Sequence, residues 1–262
     1  MTMSVNPETI LRFDKVTKVF GGKPILDGMD FSIARGETFV IVGPSGTGKS
    51  VTLKHMVRLL TPDQGNIYVG DSCINQATGH ELEAIRERFG YLFQGGALLA
   101  WLTVGENVAL PLREKSKLSE AEIEARVTET LEMVEMAGDR DKHPSEISGG
   151  MCKRAGLARA IATNPEIVLY DEPTSGLDPV TSRTIDSLIE RLRTELGVTS
   201  VVVTHDLHSA LSIGTRIAML HRGRVLEIST PEDFIKSEHE EIQSFLRSQF
   251  ITTAGSWERN SR

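Results

Sequence analysis

The segment that most restricts what this chain can become is Gly43-Pro44-Ser45-Gly46-Thr47-Gly48-Lys49-Ser50, of the form G-x-x-x-x-G-K-[ST]. Its glycines let backbone N–H groups close around phosphate oxygens, and the helix that follows adds its positive N-terminal end. In this pattern Lys49 bridges terminal phosphates and the Ser50 hydroxyl is a ligand for Mg²⁺. Such a loop needs a strand before it and a helix after it. Thr38-Phe39-Val40-Ile41-Val42 is a short apolar run suited to a buried parallel strand. Leu53, Val57 and Leu60 fall on one face of the helix expected next, which Thr61-Pro62-Asp63-Gln64-Gly65 stops.

The rest of the chain reads as α/β. Residues 12–20 alternate loosely, Gly21-Gly22 makes a turn, and a second strand follows over Ile25–Ile33. Ser119 and Glu122 form a capping box, and Ile123, Val127, Leu131 and Val134 trace an apolar stripe ending at Gly138. Ile167–Tyr170 and Ser200–Val203 read as buried strands with a helix from about Val180 to Leu196 between them. Ile217–Leu220 and Arg224–Ile228 flank a hairpin turn at His221-Arg222-Gly223. A parallel α/β core interrupted by a helical insertion near 95–165 fits this order. The tail from Thr252 is expected to be mobile.

Two further segments carry chemistry. Ile167-Val168-Leu169-Tyr170 runs into Asp171-Glu172, an apolar strand ending in two acids. Ligands of open α/β sheets bind beyond the carboxyl ends of strands, where Asp171 is suited to Mg²⁺ and Glu172 to deprotonating a water. Standing alone, the pair also reads as an acidic strand end facing solvent. Ser148-Gly149-Gly150 opens a helix, and is either a second anion cradle or a plain serine cap with a glycine turn. Two cradles in one chain make sense if two chains pair head to tail, each closing over the other's nucleotide.

Composition excludes several classes. With 29 Lys+Arg against 36 Asp+Glu the net charge is −7, which argues against binding nucleic acid through overall charge. No run approaches the roughly 20 apolar residues of a membrane span. Met1–Val5 has neither the basic start nor the apolar core of a secretory signal. Cys73 and Cys152 form no metal-type or redox-type pair, so a reducing compartment is expected.

Taken in order, Gly43–Ser50, Gln94, Ser148-Gly149-Gly150, Asp171-Glu172, Ser175-Gly176-Leu177-Asp178 and His205 resemble the ATPase subunit of ABC transporters over roughly residues 10–235. The resemblance implies a P-loop NTPase (RecA-like) core with a parallel sheet, antiparallel N-terminal strands and a helical insertion. It divides the chain into a core of 10–94 and 166–235, a helical subdomain of 95–165, and a C-terminal helix and tail of 236–262. It also implies ATP and Mg²⁺ as cofactors. Phe20 matches the aromatic that stacks on adenine, and Gly43, Pro44, Ser45, Gly46, Thr47, Gly48, Lys49, Ser50 and Val51 match the phosphate-binding stretch. Ser50, Gln94 and Asp171 match the Mg²⁺ residues, with Gln94 also touching the attacking water. Glu172 matches the general base, Asp178 the link between two subunits' sites, and His205 the γ-phosphate contact. Met151 stands where the family usually has Gln, which affects a side-chain contact to the ribose and leaves the backbone contacts of Ser148-Gly149-Gly150 intact.

Phe93–Leu99, Asn107–Glu114 and Ser148-Gly149-Gly150-Met151 together look like the Mla/Mce lipid-transport ATPases of bacterial envelopes. That branch implies a homodimer, peripheral at the cytoplasmic face of the inner membrane, on a separate integral permease with Mce-type lipid-binding and accessory subunits, and no nucleic acid partner. A polar-solute importer ATPase or a soluble ABC ATPase would share the nucleotide motifs. Ala97–Leu102 is either a socket for a helix of the permease or packing inside the insertion. Phe234, Ile235, Ile242, Phe245, Leu246 and Phe250 have near-helical spacing, and pack on the chain's own core or meet a partner. Trp257 is uninformative alone.

Overall fold

The computed structural model describes residues 9–251. The readings of Met1–Val5, of the tail from Thr252 and of Trp257 lie outside the described residues. In chain order the elements are β1 (Thr9–Phe20), β2 (Lys23–Ala34), β3 (Thr38–Val42), α1 (Lys49–Met56), β4 (Gln64–Val69), β5 (Ser72–Cys73) and α2 (Gly79–Glu87). There follow β6 (Phe89–Leu92), α3 (Val104–Lys115), α4 (Glu120–Met133), α5 (Gly149–Ile161), β7 (Ile167–Asp171), α6 (Pro179–Leu196) and β8 (Thr199–Thr204). The chain closes with α7 (Leu207–Ile213), β9 (Arg216–His221), β10 (Arg224–Ser229), α8 (Pro231–Ile235) and α9 (Glu240–Ser248). Two units emerge, one of residues up to Ile85 together with Val201 onward, the other Arg86–Ser200.

In the first unit β1 is the centre of an antiparallel sheet of order β2-β1-β4-β5. The register sets Phe13 opposite Phe31 on β2 and Ile67 on β4. Phe13 stacks on Phe31 at 4.6 Å and Phe31 on Phe39 at 5.4 Å between ring centroids, so an aromatic column joins this sheet to β3. Each such ring contributes about 1.5–3 kcal/mol by leaving water. β3 is buried along its whole length and pairs in parallel with β9. β9 and β10 form the expected hairpin, with Arg222 and Gly223 both left-handed at the turn. Buried on both faces, β3 reads as an unbroken apolar run, the mark of a parallel strand.

In the second unit β6 and β7 pair in parallel. A Cβ on Gly90 would lie 2.2 Å from the Ala160 carbonyl oxygen, so this glycine lets α5 lie directly on β6. The capping box of α4 is formed: the Ser119 amide donates to Glu122 at 2.7 Å and the Glu122 amide to the Ser119 hydroxyl at 3.4 Å. Ile123, Val127, Leu131 and Val134 are all buried, as their spacing requires. The helix stops at Met133, before Gly138, because Glu135 turns left-handed at φ +58°. α6 runs between an Asp178 cap and a left-handed Gly197.

Two local expectations differ. The helix behind the phosphate loop ends at Met56, short of Leu60. Arg58 turns left-handed at φ +52°, its guanidinium donating to the Ala77 carbonyl, and the amides of Leu59 and Leu60 fold back onto Lys54 O. The C-terminal apolar stretch is two short helices, α8 and α9, the first opened by Pro231 and the two separated by the non-helical stretch Ser237–His239. Phe234, Ile242 and Leu246 are buried, whereas Phe250 is 89% exposed.

Candidate functional site

In the first unit the phosphate loop begins where β3 ends. Gly43 has φ +152°, and a Cβ there would meet the Leu220 carbonyl oxygen of β9 at 2.4 Å. Gly48 sits at φ +101°, where a Cβ would come within 2.9 Å of the Ile25 carbonyl oxygen. Both positions therefore exclude side chains on two grounds, backbone conformation and space. The Thr47 hydroxyl donates to Pro44 O at 2.9 Å, and the Lys49 ammonium donates to Gly43 O at 2.8 Å and Pro44 O at 3.2 Å. Lys49 is buried while Pro44, Ser45 and Gly46 are exposed, so the loop is folded around the lysine and open on its outer side. No side chain caps α1 and its first turn holds no acid, which leaves the helix end suited to an anion. Ser50 and Val51, half-buried, begin that helix.

Phe20 closes β1 at 44% exposure, with the Lys18 ammonium 5.4 Å from its ring centroid. An exposed aromatic at a strand end is available to stack on a flat ligand. His205 follows β8 and is exposed; its carbonyl accepts a hydrogen bond from the Gln249 side chain at 2.6 Å, which ties it to the end of α9.

In the second unit β7 is buried throughout and delivers Asp171 and Glu172, both buried. The Tyr91 hydroxyl lies 3.4 Å from an Asp171 carboxylate oxygen, and burial followed by the Asp171 charge pushes the phenol far up. Glu172 has φ +51°, a left-handed backbone rare for a non-glycine residue and commonest where function demands it. Gln94 is exposed at a turn closed by the Gly95 and Gly96 amides, both donating to Phe93 O. Ser148 caps α5, accepting from the Met151 amide at 3.3 Å, and Ser148 and Gly149 are exposed. A Cβ on Gly150 would press to 2.5 Å from the Thr181 methyl group. Asp178 caps α6, accepting from the amides of Val180 at 2.9 Å and Thr181 at 3.0 Å; Thr181 holds its carboxyl below the usual range.

Three polar residues have structural roles that the sequence did not assign, although Asn107 lies in a stretch that carries the family resemblance. Lys153 of α5 donates to Glu172 O, Ser175 O and the Ser175 hydroxyl. Burial pulls this ammonium below the usual lysine value, and the Glu172 charge acts the other way. Arg159 donates to Gly96 O and Ala97 O, both at 2.8 Å, and so fixes the turn after Gln94. Buried Asn107 bonds both main-chain groups of Leu99, along with the carbonyls of Leu102 and Thr103, and braces Ala97–Leu102 from within. On that segment Leu98, Leu99 and Leu102 are half-buried and Trp101 is 73% exposed. Lys153 and Arg159 act on backbone brought near only by folding, whereas Asn107 bonds main chain four to eight residues before it, and its residue type alone does not mark that role.

A buried parallel strand opening into a glycine loop and helix, with a second buried strand ending in paired acids, defines a phosphate-loop ATPase of the α/β class. The chain belongs to the ABC transporter family, whose model matches residues 26–175. It is 41% identical over 240 residues to a protein of Mycobacterium leprae named "Probable ribonucleotide transport ATP-binding protein mkl", covering 92% of this chain and 69% of that one. It is 37% identical over 242 residues to the "Intermembrane phospholipid transport system ATP-binding protein MlaF" of Haemophilus influenzae, covering 92% of both. Among solved structures, the ATP-binding cassette MJ0796, dimeric in a post-hydrolysis state with ADP and Pi, matches with TM-score 0.77 and 37% identity, covering 84% of this chain and 98% of that one. The chain is an ATP-binding subunit of an ABC transporter and hydrolyses ATP to ADP and phosphate. Among the described residues no helix is long and apolar enough to cross a membrane.

Proposed function

We propose that this chain powers lipid movement in a bacterial envelope, as a homodimer seated on a separate membrane permease at the cytoplasmic face of the inner membrane. The observation that carries the lipid reading is the likeness to MlaF across 92% of both chains, whereas the mkl protein extends well beyond the matched part. Mce-type lipid-binding and accessory subunits complete the assembly.

In this reading residues 10–94 and 166–235 form the nucleotide-binding core and residues 95–165 carry the second cradle. Phe20 stacks on the adenine, and Gly43 to Val51 hold the phosphates with Lys49 on the terminal ones. Ser148-Gly149-Gly150 of the second chain close over the same nucleotide, and Asp178 links the two sites. Ser50, Gln94 and Asp171 are the residues assigned to Mg²⁺; hydroxyl, amide and carboxylate oxygens are the hard donors this ion prefers. Bound there, the ion neutralises charge on the phosphates. Glu172 takes the proton of the attacking water, and His205 holds the γ-phosphate in line. The work of the site is positioning and charge stabilisation. Gln94, sensitive to the γ-phosphate, passes its state to Ala97–Leu102, where exposed Trp101 offers apolar surface to the permease.

A polar-solute importer is the second reading, favoured by the printed name of the mkl protein. Purification of the tagged chain from membranes in mild detergent separates the two. A permease with a lipid-carrying envelope protein and bound phospholipid supports the first; a permease with a soluble solute-binding protein replaces it with the second.

A further inference from the structure

We propose that Lys153 is a positioning residue for ATP hydrolysis: its ammonium clamps the main chain of Glu172 and Ser175 and so holds Glu172 in the left-handed backbone from which it acts. The proposal rests on the reading of Glu172 as general base.

Lys153 lies near the start of α5 and is only 5% exposed. An ammonium has three N–H donors, and here three oxygens receive them: Ser175 O at 2.6 Å, Glu172 O at 3.1 Å and Ser175 Oγ at 3.2 Å. Two of the three are backbone carbonyls of the loop that follows β7. Glu172 O accepts two further bonds, from the Ser175 hydroxyl at 2.9 Å and the Ser175 amide at 3.2 Å. A carbonyl with three donors is heavily committed, and it belongs to the residue at φ +51°. Such a backbone persists when the surroundings over-determine it, and these bonds do so. The charge has a purpose here that an apolar side chain of equal length would not serve. Burying a lysine is unfavourable unless it is fully hydrogen-bonded, and this one is bonded to the loop that bears the proposed base. The clamp also comes from the helix whose first turn carries Ser148-Gly149-Gly150. The same rigid element thus presents one chain's cradle and sets that chain's own Glu172 loop.

The test is a double-mutant cycle on the full chain, with kcat, KM for ATP, equilibrium nucleotide binding and melting temperature measured for wild type, Lys153→Met, Glu172→Gln and the double variant. Lys153→Met is expected to lower kcat by about tenfold or more while the Kd for ATP stays within about threefold. The double variant is expected to turn over at the Glu172→Gln rate, since both changes act through one group. Losses that multiply in the double variant, or a loss in Kd instead of kcat, overturn the proposal. Wild-type kcat in Lys153→Met beside a slow Glu172→Gln overturns it alone, and wild-type kcat in Glu172→Gln overturns the general-base reading beneath it. Should Lys153→Met not fold, Lys153→Gln and Ser175→Ala carry the same comparison. Each removes part of the clamp and should lower kcat severalfold at unchanged Kd, and full kcat in both overturns the proposal.

Discussion

The chemistry proposed for the chain rests most heavily on Glu172. This residue is buried at the end of β7, held by its carbonyl, and kept left-handed. Proton transfer by a placed side chain contributes about 10²–10⁴-fold, so Glu172→Gln should lose that much kcat while ATP binding stays within a few-fold. Steady-state hydrolysis alongside a nucleotide titration checks this, and wild-type turnover would remove the base assignment. The acid itself was readable, because an apolar strand followed by Asp-Glu says where the carboxylates fall. Lys153 was not. Set between Cys152 and Arg154 it reads as one charge on a solvated helix face, and its carbonyl partner at Glu172 is 19 residues away in sequence. Gly43 and Gly48 lie between these cases: the motif names them, but only the approach of Leu220 O and Ile25 O shows why no side chain fits.

Among the elements, local chemistry was legible where the signal is short-ranged. The Ser119 and Glu122 pairing formed as written, and α6 begins at Pro179 against an expected start near Val180. Thr103 and Glu106 form an equal box at the head of α3, a T-x-x-E signal present in the sequence and passed over. Ser119→Ala should cost about 1 kcal/mol, lowering Tm by about 2–4 °C, with ATPase activity unchanged. A calorimetric scan decides it, and an unmoved Tm would mean the box contributes nothing. The strands β4, β5 and β6 and the helix α2 were illegible for a different reason. Gly65 sits inside β4 at φ +81°, where a Cβ would approach Lys15 O to 2.3 Å, so a residue that reads as a stop is a point of close strand contact. The early end of α1 is likewise set by tertiary contact, Arg58 with Ala77.

For the whole molecule, the proposed pairing of two chains across nucleotide makes a sharp demand. If Ser148-Gly149-Gly150 of one chain closes over the partner's ATP, a hydrolysis-blocked variant should be trapped as a dimer by ATP and fall back to monomer without it. Size-exclusion of Glu172→Gln with light scattering, with and without ATP, measures this; an ATP-independent monomer would remove the head-to-tail arrangement. Such trapping is a linkage effect, with ligand binding energy supplying the association. The left-handed backbone at Glu172 has one more consequence, for anyone who would make this protein hardier. Glycine adopts that conformation without the strain of about 1 kcal/mol that a side chain brings, so wherever this relief exceeds the loss of the Glu172 charge beside Lys153, a screen for heat resistance alone would reward Gly here and, on the proposed reading of Glu172, return a sturdier protein that no longer turns over.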